Sequence, residues 1–314
     1  CIRDRLVVAA YQISAGTIKK YSQNLLQSSV ENQASQIEAW LNENLASFQM
    51  AKTIIEDLKP SDEELKTILD GYYGYNSNYP EGLYVADSTG QLITASESTK
   101  KESDVTNSTW YKEGLTRVNM AVGSAYQNAD GVNVISASGI LNDGSDKVRV
   151  ISADMTLDRI AIIVNSFIEM NDAEAFLVDK TSGVILANRD SSLISQTLGA
   201  EGQSHFYQLT AEKAAEKDYN FATLDGNMTV FQEVDGTNWL LISYIPTSIV
   251  LSDLTQLRNI MIVISVICIA LLCVLIERVT HVVIKPVKEM TRVITAMTSG
   301  DFTVSIKTKG NDEI

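Results

Sequence analysis

The chain is poor in the residues that staple, coordinate and break. It has three cysteines; Cys268 and Cys273 fall inside one apolar run and Cys1 opens the chain, so no pair is left to bridge the rest. That excludes a disulfide scaffold and leaves burial to hold the fold together. The two histidines, His205 and His281, lie on opposite sides of the apolar run, which excludes a shared metal site or a His-centred relay within one domain. Phosphate-cradling glycine loops, dinucleotide fingerprints and zinc-ligand spacings are absent. The stretch GVNVISASG sets serines between glycines, but it reads as a strand, and a nucleophile elbow needs a sharp turn there. The expectation is no enzyme, no cofactor and no metal. Basic residues are also short, 25 Lys and Arg against 39 Asp and Glu, which argues against nucleic acid or an anionic lipid surface as partner.

What the chain does have is residues 260–276, IMIVISVICIALLCVLI, seventeen residues of which only Ser265 is not apolar. At a rise of ~1.5 Å per residue this run spans roughly 26 Å, enough to cross a hydrocarbon core of about 30 Å. A buried core helix usually carries a shorter unbroken run and keeps a polar stripe. Arg278, Lys285, Lys288 and Arg292 follow the run, whereas Arg258 and the acidic Asp253 precede it. Positive residues stay inside, so the C-terminal piece is expected in the cytoplasm and the N-terminal piece outside the cell membrane. Residues 277–314 hold six Lys and Arg against five Asp and Glu, which leaves the outer part at 19 against 34, a net charge of −15. The chain reads as a fragment, starting at Cys1 without methionine and ending at Ile314 within a motif. The run LVVAAY is either the tail of a first span or the start of a helix, so the protein is expected to cross once or twice.

Before the span the pattern changes period twice. Val30, Ala34, Ile37, Leu41, Leu45, Phe48, Ile55 and Leu58 recur mostly in steps of three and four, with no proline before Pro60, which predicts one long helix from about residue 18 with a single apolar stripe. Ser61 with Glu64 forms a capping box for a short helix through Leu69. After a loop rich in Tyr, LYVADSTGQLITAS reads as two strands about a tight turn with Asp87 and Gly90 at the bend, and AFLVDKTSGVILAN repeats it with Asp179 and Gly183. VNVISASGIL, KVRVISADM and a helix from Leu157 to about Phe167 follow the first copy; YNFATL, MTVFQEV and WLLISYIP follow the second. The fold class is therefore α+β: two tandem modules, each an antiparallel sheet with flanking helices, braced by the long helix. After the span, Val287, Met290, Ile294 and Met297 repeat three-four-three, a coiled-coil seam that wants a partner and points to a parallel homodimer. Gly300 stops that helix.

The order of long helix, LYVADSTG, TWYKEGL, SAYQNADGVNVISAS, VRVISADMTLDRI, FLVDKTSGVIL and NWLLISYIP, ending in a membrane span, resembles the double Cache sensor domain of bacterial receptors over roughly residues 30–249. IKPVKEMTRVITAMTSGDFTVSIKTKGNDEI is similar to the first helix and connector of a HAMP relay. The resemblance implies PAS-like modules at 30–170 (membrane-distal, with the long helix) and 171–255 (membrane-proximal), after a start at 1–29. The span then takes 256–278 and a partial HAMP domain 279–314. It also implies a methyl-accepting chemotaxis protein whose cytoplasmic signalling partners meet a part beyond residue 314. A sensor histidine kinase or a cyclic-dinucleotide enzyme with the same input domain is the alternative, and a surface-anchored hydrolase is a second.

In double Cache receptors that bind amino acids, the family motif places an Arg two before a Trp, then Tyr-x-Asp on the next strand and an Asp on the one after. Trp110, Tyr126 and Asp154 match it, while Ser108 stands at the Arg position and Asn128 at the middle Asp. The ligand site implied by the resemblance is Ser108, Trp110, Tyr111, Tyr126, Asn128 and Asp154, in the first module. The two departures remove a bidentate cation for a carboxylate and one anion for an ammonium, so the expectation is a nucleobase, an amine or another small metabolite rather than an ordinary α-amino acid. Tyr73, Tyr75 and Tyr79 are possible covers of the pocket. Read without the family, Trp110 and Tyr126 are core aromatics more often than ligand walls, Asp154 is as readily a cap for a helix starting at Thr156, and Arg149 a residue on a solvated strand face.

Overall fold

A computed structural model describes residues 2–102, 104–128, 131–166, 170 and 172–299. It divides into two compact units, residues 15–251 and a second made of the two chain ends, 1–14 with 252–314. In chain order the elements are α1 (Ile2–Leu58), α2 (Asp62–Asp70), β1 (Leu83–Asp87), β2 (Leu92–Ile93), α3 (Thr109–Gly114), β3 (Ala121–Gln127), β4 (Asn133–Leu141), β5 (Arg149–Thr156) and α4 (Asp158–Val164). Then come β6 (Glu174–Asp179), β7 (Ile185–Asn188), α5 (His205–Ala215), β8 (Ala222–Leu224), β9 (Asn227–Val234), β10 (Trp239–Pro246), α6 (Thr247–Val250), α7 (Ser252–Val279), a π-helical turn (Thr280–Ile284) and α8 (Lys285–Thr298).

The larger unit is built on two five-stranded antiparallel sheets, ordered β2-β1-β5-β4-β3 and β7-β6-β10-β9-β8. The order is the same in both, which is the internal repeat seen in the sequence. Each repeat opens with a hairpin whose Asp ties the turn: the Thr89 and Gln91 amides donate to Asp87 Oδ1 at 2.8 and 3.0 Å, and the Thr181 and Ser182 amides donate to Asp179 Oδ1 at 2.9 and 2.8 Å. Gly90 and Gly183 take positive φ at those bends, a conformation that costs glycine little.

One apolar cluster joins α1 to both sheets. Val30, Ala34, Ile37, Leu41, Phe48 and Ile55 are buried along the helix as the spacing predicts, together with Leu26 and Trp40. Leu45 is partly buried, and Leu58, at the last helical position, is exposed. Polar side chains of α1 also secure the sheets' loops. Glu38 Oε1 accepts from the Asp235 amide at 2.7 Å, Gln49 Oε1 from Met120 at 2.8 Å and Glu56 Oε1 from Asn142 at 2.9 Å. Buried Gln33 donates its amide to the carbonyls of Ile163, Val164 and Ser166 at the end of α4, where the Ile163 carbonyl also accepts from Ser166. Pro60 follows the helix, and the predicted capping box of Ser61 and Glu64 starts α2.

Two sequence expectations are corrected here. Arg149 does not lie on a solvated face: it is buried at the start of β5, its guanidinium 2.7 Å from Asp143 and 2.5 Å from Asp62. Asp143 is six residues away, in the turn between β4 and β5, whereas Asp62 comes from the distant start of α2, which strand alternation does not announce. The helix after β5 has Leu157 at its N-cap without a side-chain cap, so Asp154 is not its capping residue. The end of the predicted helix at Phe167 lies outside the described residues.

In the second unit, α7 contains the whole apolar run, and none of residues 260–276 is buried. It is the one helix among the described residues long and apolar enough to cross a membrane. On α8, Val287, Ile294 and Met297 are exposed and Met290 half-buried, while Val293, which the stripe did not include, is buried. Gly300 and the GDF and DEI motifs lie outside the described residues.

Candidate functional site

β5 delivers Asp154 to one face of the first sheet. Its register, Ser136 opposite Asp154 and Ser152 opposite Tyr84, gathers three hydroxyls around one carboxylate. Asp154 Oδ1 accepts from Tyr84 at 2.5 Å, Ser136 at 2.5 Å and Tyr126 at 2.8 Å. Asp154 Oδ2 accepts from Lys100 Nζ at 2.6 Å, and the same ammonium stands 4.2 Å from the centroid of the Tyr84 ring. Burial, and then the negative charge of Asp154, push the phenols of Tyr84 and Tyr126 up, so both remain protonated donors.

Of this cluster, Lys100, Tyr126 and Asp154 line a cavity of about 440 Å³, while Tyr84 and Ser136 are buried and do not line it. Ser108, Tyr126, Asn128 and Asp154 line it, joined by Glu81, Lys100 and Glu102. Trp110 and Tyr111 do not line it. Trp110 is fully buried behind the wall, edge-on to Tyr84 with centroids 4.9 Å apart, and donates its Nε1 proton to Glu102 Oε2 at 2.9 Å. Tyr111 is buried in the same cluster. A Cβ at Gly114 would come within 2.3 Å of Val150, so glycine there lets α3 seat these rings against the sheet. The Ser108 hydroxyl donates back to the Val105 carbonyl at 2.6 Å, and Asn128 Oδ1 accepts from the Val132 amide at 2.9 Å, which closes the turn between β3 and β4. Of the three loop tyrosines none lines the cavity. Tyr79 is buried edge-on to Phe48 and Tyr75 is exposed; the same loop contributes Pro80 and Glu81 instead.

Sequence reasoning missed Lys100, Glu102, Glu81 and Tyr84. Lys100 and Glu102 sit in the polar run STKKES, which reads as a solvated loop, and Tyr84 lies in an apolar strand. Their relation to Asp154 exists only after the sheet has formed. Glu102 is partly buried; burial raises its carboxyl above the usual range, and the Trp110 proton and the Lys100 charge offset part of that rise.

The expectation against an ordinary α-amino acid is not supported by these residues. It rested on a missing cation at Ser108 and a missing anion at Asn128. Lys100 places a cation inside the cavity, and Glu81 and Glu102 add carboxylates beside Asp154. A cation and three carboxylates are therefore present in the cavity lining, from positions other than Ser108 and Asn128.

The Cache domain family model matches residues 10–254, and the HAMP domain model matches residues 278–314. Similar solved structures include the ligand-binding domain of Mlp24 with asparagine, which aligns at a TM-score of 0.61 and 17% identity over 75% of this chain and 98% of its own. The ligand-binding domain of the Pseudomonas fluorescens chemoreceptor CtaA in complex with L-isoleucine aligns at 0.60 and 20% identity, over 76% and 98%. That of the Pseudomonas aeruginosa PAO1 amino acid chemoreceptor PctC in complex with GABA aligns at 0.55 and 19%, over 71% and 99%. These likenesses establish the shared fold, and the family matches extend over most of the chain. The chain belongs to the Cache-domain family, its Cache sensor followed by a HAMP domain in the arrangement of a sensory transducer.

Proposed function

We propose that the chain is a transmembrane chemoreceptor whose outer Cache domain binds a small zwitterion of the amino-acid type in the cavity around Asp154. Its HAMP domain then passes the signal to cytoplasmic partners that control chemotaxis. The observation that carries this reading is the cavity itself. It offers a buried carboxylate held by three hydroxyls and a largely buried ammonium, in a Cache domain followed by an apolar helix and a HAMP domain. The amino acids bound by the similar chemoreceptor domains carry both groups that this cavity can pair. Of the sequence-derived site residues, Ser108, Tyr126, Asn128 and Asp154 would meet the ligand, with Trp110 and Tyr111 holding the wall.

The excess of Lys and Arg after the span supports an outer sensor and an inner HAMP domain. The chain leads from β10 through α6 directly into α7, so a ligand that tightens the sheet can displace the spanning helix; shifts of about 1 to 2 Å are typical of such movements. The seam on α8 would convert them into a choice between packings of a parallel dimer.

A thermal-shift screen of the full chain in nanodiscs, with the twenty standard amino acids and 4-aminobutyrate, tests the ligand class. At least one should raise the melting temperature, and silence across the panel would defeat the zwitterion reading. Deleting the gene should abolish taxis toward that compound, and retained taxis would remove chemotaxis from the proposal. In intact cells a membrane-impermeant maleimide should label Glu97→Cys and not Arg292→Cys; the opposite pattern would reverse the orientation.

A further inference from the structure

Lys100 is a long, flexible side chain with an unusual post. It is only 10% exposed, and its ammonium lies against the Asp154 carboxylate and over the Tyr84 ring. A carboxylate beside an aromatic face is a receptor for a primary amine, and here the amine it holds is the protein's own. The three hydroxyls on Oδ1 are fixed by strands β1, β3 and β4, whereas Oδ2 is held by a residue of the loop between β2 and α3. The other two cavity carboxylates are engaged elsewhere, Glu102 by Trp110 and Glu81 by Ser98 and Thr99. Exchange is therefore available at Asp154 Oδ2.

An incoming molecule with an ammonium alone can reach Oδ2 only by displacing Lys100, which leaves a buried cation without its counterion. One with a carboxylate alone can draw Lys100 away only by stripping Asp154 of its cation. Each outcome leaves a buried charge unpaired, a severe penalty. A molecule with both groups avoids it, because one internal ion pair becomes two ligand pairs and the charges stay balanced. The Lys100 stem has four rotatable carbons, so Nζ can move while Asp154 stays on its strand. We infer that Lys100 and Asp154 form an exchangeable internal ion pair that makes the site selective for zwitterions over the corresponding plain amines and plain acids, Lys100 taking the ligand carboxylate and Asp154 the ligand ammonium. This rests on the amino-acid reading proposed above.

The test uses the full chain in nanodiscs and isothermal titration calorimetry. The tightest-binding amino acid of the panel is compared with its own decarboxylated amine and deaminated acid. In the wild type, the amine and the acid should bind at least about thirtyfold more weakly than the zwitterion. In Lys100→Met the order should collapse, the amine binding as well as the zwitterion or better, and in Asp154→Asn the acid should gain on the zwitterion. The variant Lys100→Met together with Asp154→Asn removes both charges; it should fold even where a single variant does not, and it should show no preference for the zwitterion. If an amino acid binds but Lys100→Met or the double variant keeps the wild-type preference, the exchange is wrong and the amino-acid reading stands. If no amino acid of the panel binds the wild type, both fall.

Discussion

The two sheets share one topology, yet one holds a cavity with a carboxylate in it and the other is filled with rings. With the Asp87 and Asp179 turns as anchors, Val85 opposite Ile151 corresponds to Leu177 opposite Leu241, which places Tyr244 where Asp154 stands. By the same register Phe176 replaces Tyr84, Thr229 replaces Ser136 and Leu224 replaces Tyr126. Tyr244 packs on Phe206 with centroids 4.4 Å apart and donates its hydroxyl to Glu174 at 2.5 Å. The burial of Tyr244, and then that hydrogen bond, push its phenol up. Four substitutions at matched positions thus separate a polar floor from an apolar plug. A repeated fold fixes where a side chain points, and the identity of that side chain decides whether the space is a site or a core.

Exchanging these residues between the sheets has the largest expected consequence. Tyr244→Asp removes a ring packed on Phe176 and Phe206 and sets a carboxylate at a half-buried position beside Glu174, and should cost about 3 kcal/mol, read as a large fall in melting temperature. A neutral outcome would mean that the plug is not structural. In the opposite direction, Asp154→Ala should weaken binding of the panel's best ligand by roughly ten- to more than a hundredfold, since a hydrogen bond to a charged group is worth about 1.5 to 3 kcal/mol; calorimetry on the folded variant reads it.

A milder break concerns the brace. Gln33 serves the end of α4, in the first repeat, so Gln33→Leu should destabilise by about 1 to 3 kcal/mol through the Val164 and Ser166 carbonyls left short of a donor, that of Ile163 keeping Ser166. Hydrogen exchange should rise at α4 and hardly at α5. Equal loosening of both would refute the local role.

The smallest expected effect separates the two hairpin aspartates. Burial opposes the charge on Asp87, but Lys147 and the donors of Thr89 and Gln91 outweigh it and bring the carboxyl down to about 2, whereas Lys180 beside the second hairpin pairs with Glu233 instead. A lowered carboxyl contributes stability that is present above its unfolded value of 3.8 and lost as pH falls toward 2. Asp87→Asn should therefore flatten the acid limb of the melting curve between those values. A limb that stays as steep in the variant would assign the acid sensitivity to other groups.

Most strands, their repetition and the hairpin turns were legible because alternation with period two and an Asp before a Gly survive in any single sequence, whereas the order of the strands within each sheet came only with the structure. The long helix was legible from its stripe. β3 was much less so: it is half-exposed, and its pairing with β4 shifts between Val122 and Ala125, so alternation is broken there. Of the site, Tyr126 and Asp154 could be named through a family motif, but Lys100, 54 residues from its partner, could not. Ion pairs leave no periodic trace, whether the partner is distant, as Asp62 is from Arg149, or in the adjoining turn, as Asp143 is, which is why Arg149 was misplaced. The absence of an Arg at Ser108 was real, yet concluding from it that the cavity lacked a cation treated a motif as if it were the whole wall.

The π-helical turn at Thr280–Ile284 carries a consequence for phase. An α-helix advances about 100° per residue, and a turn closed one residue later than usual adds a residue without adding a turn. The stripe of Val287, Met290, Ile294 and Met297 is therefore offset by about 100° from where an unbroken α-helix would have put it. Relaxing that turn to α geometry would swing the stripe through the same arc, a discrete angular step. Between α7 and α8 the chain thus has an escapement, which counts in whole residues.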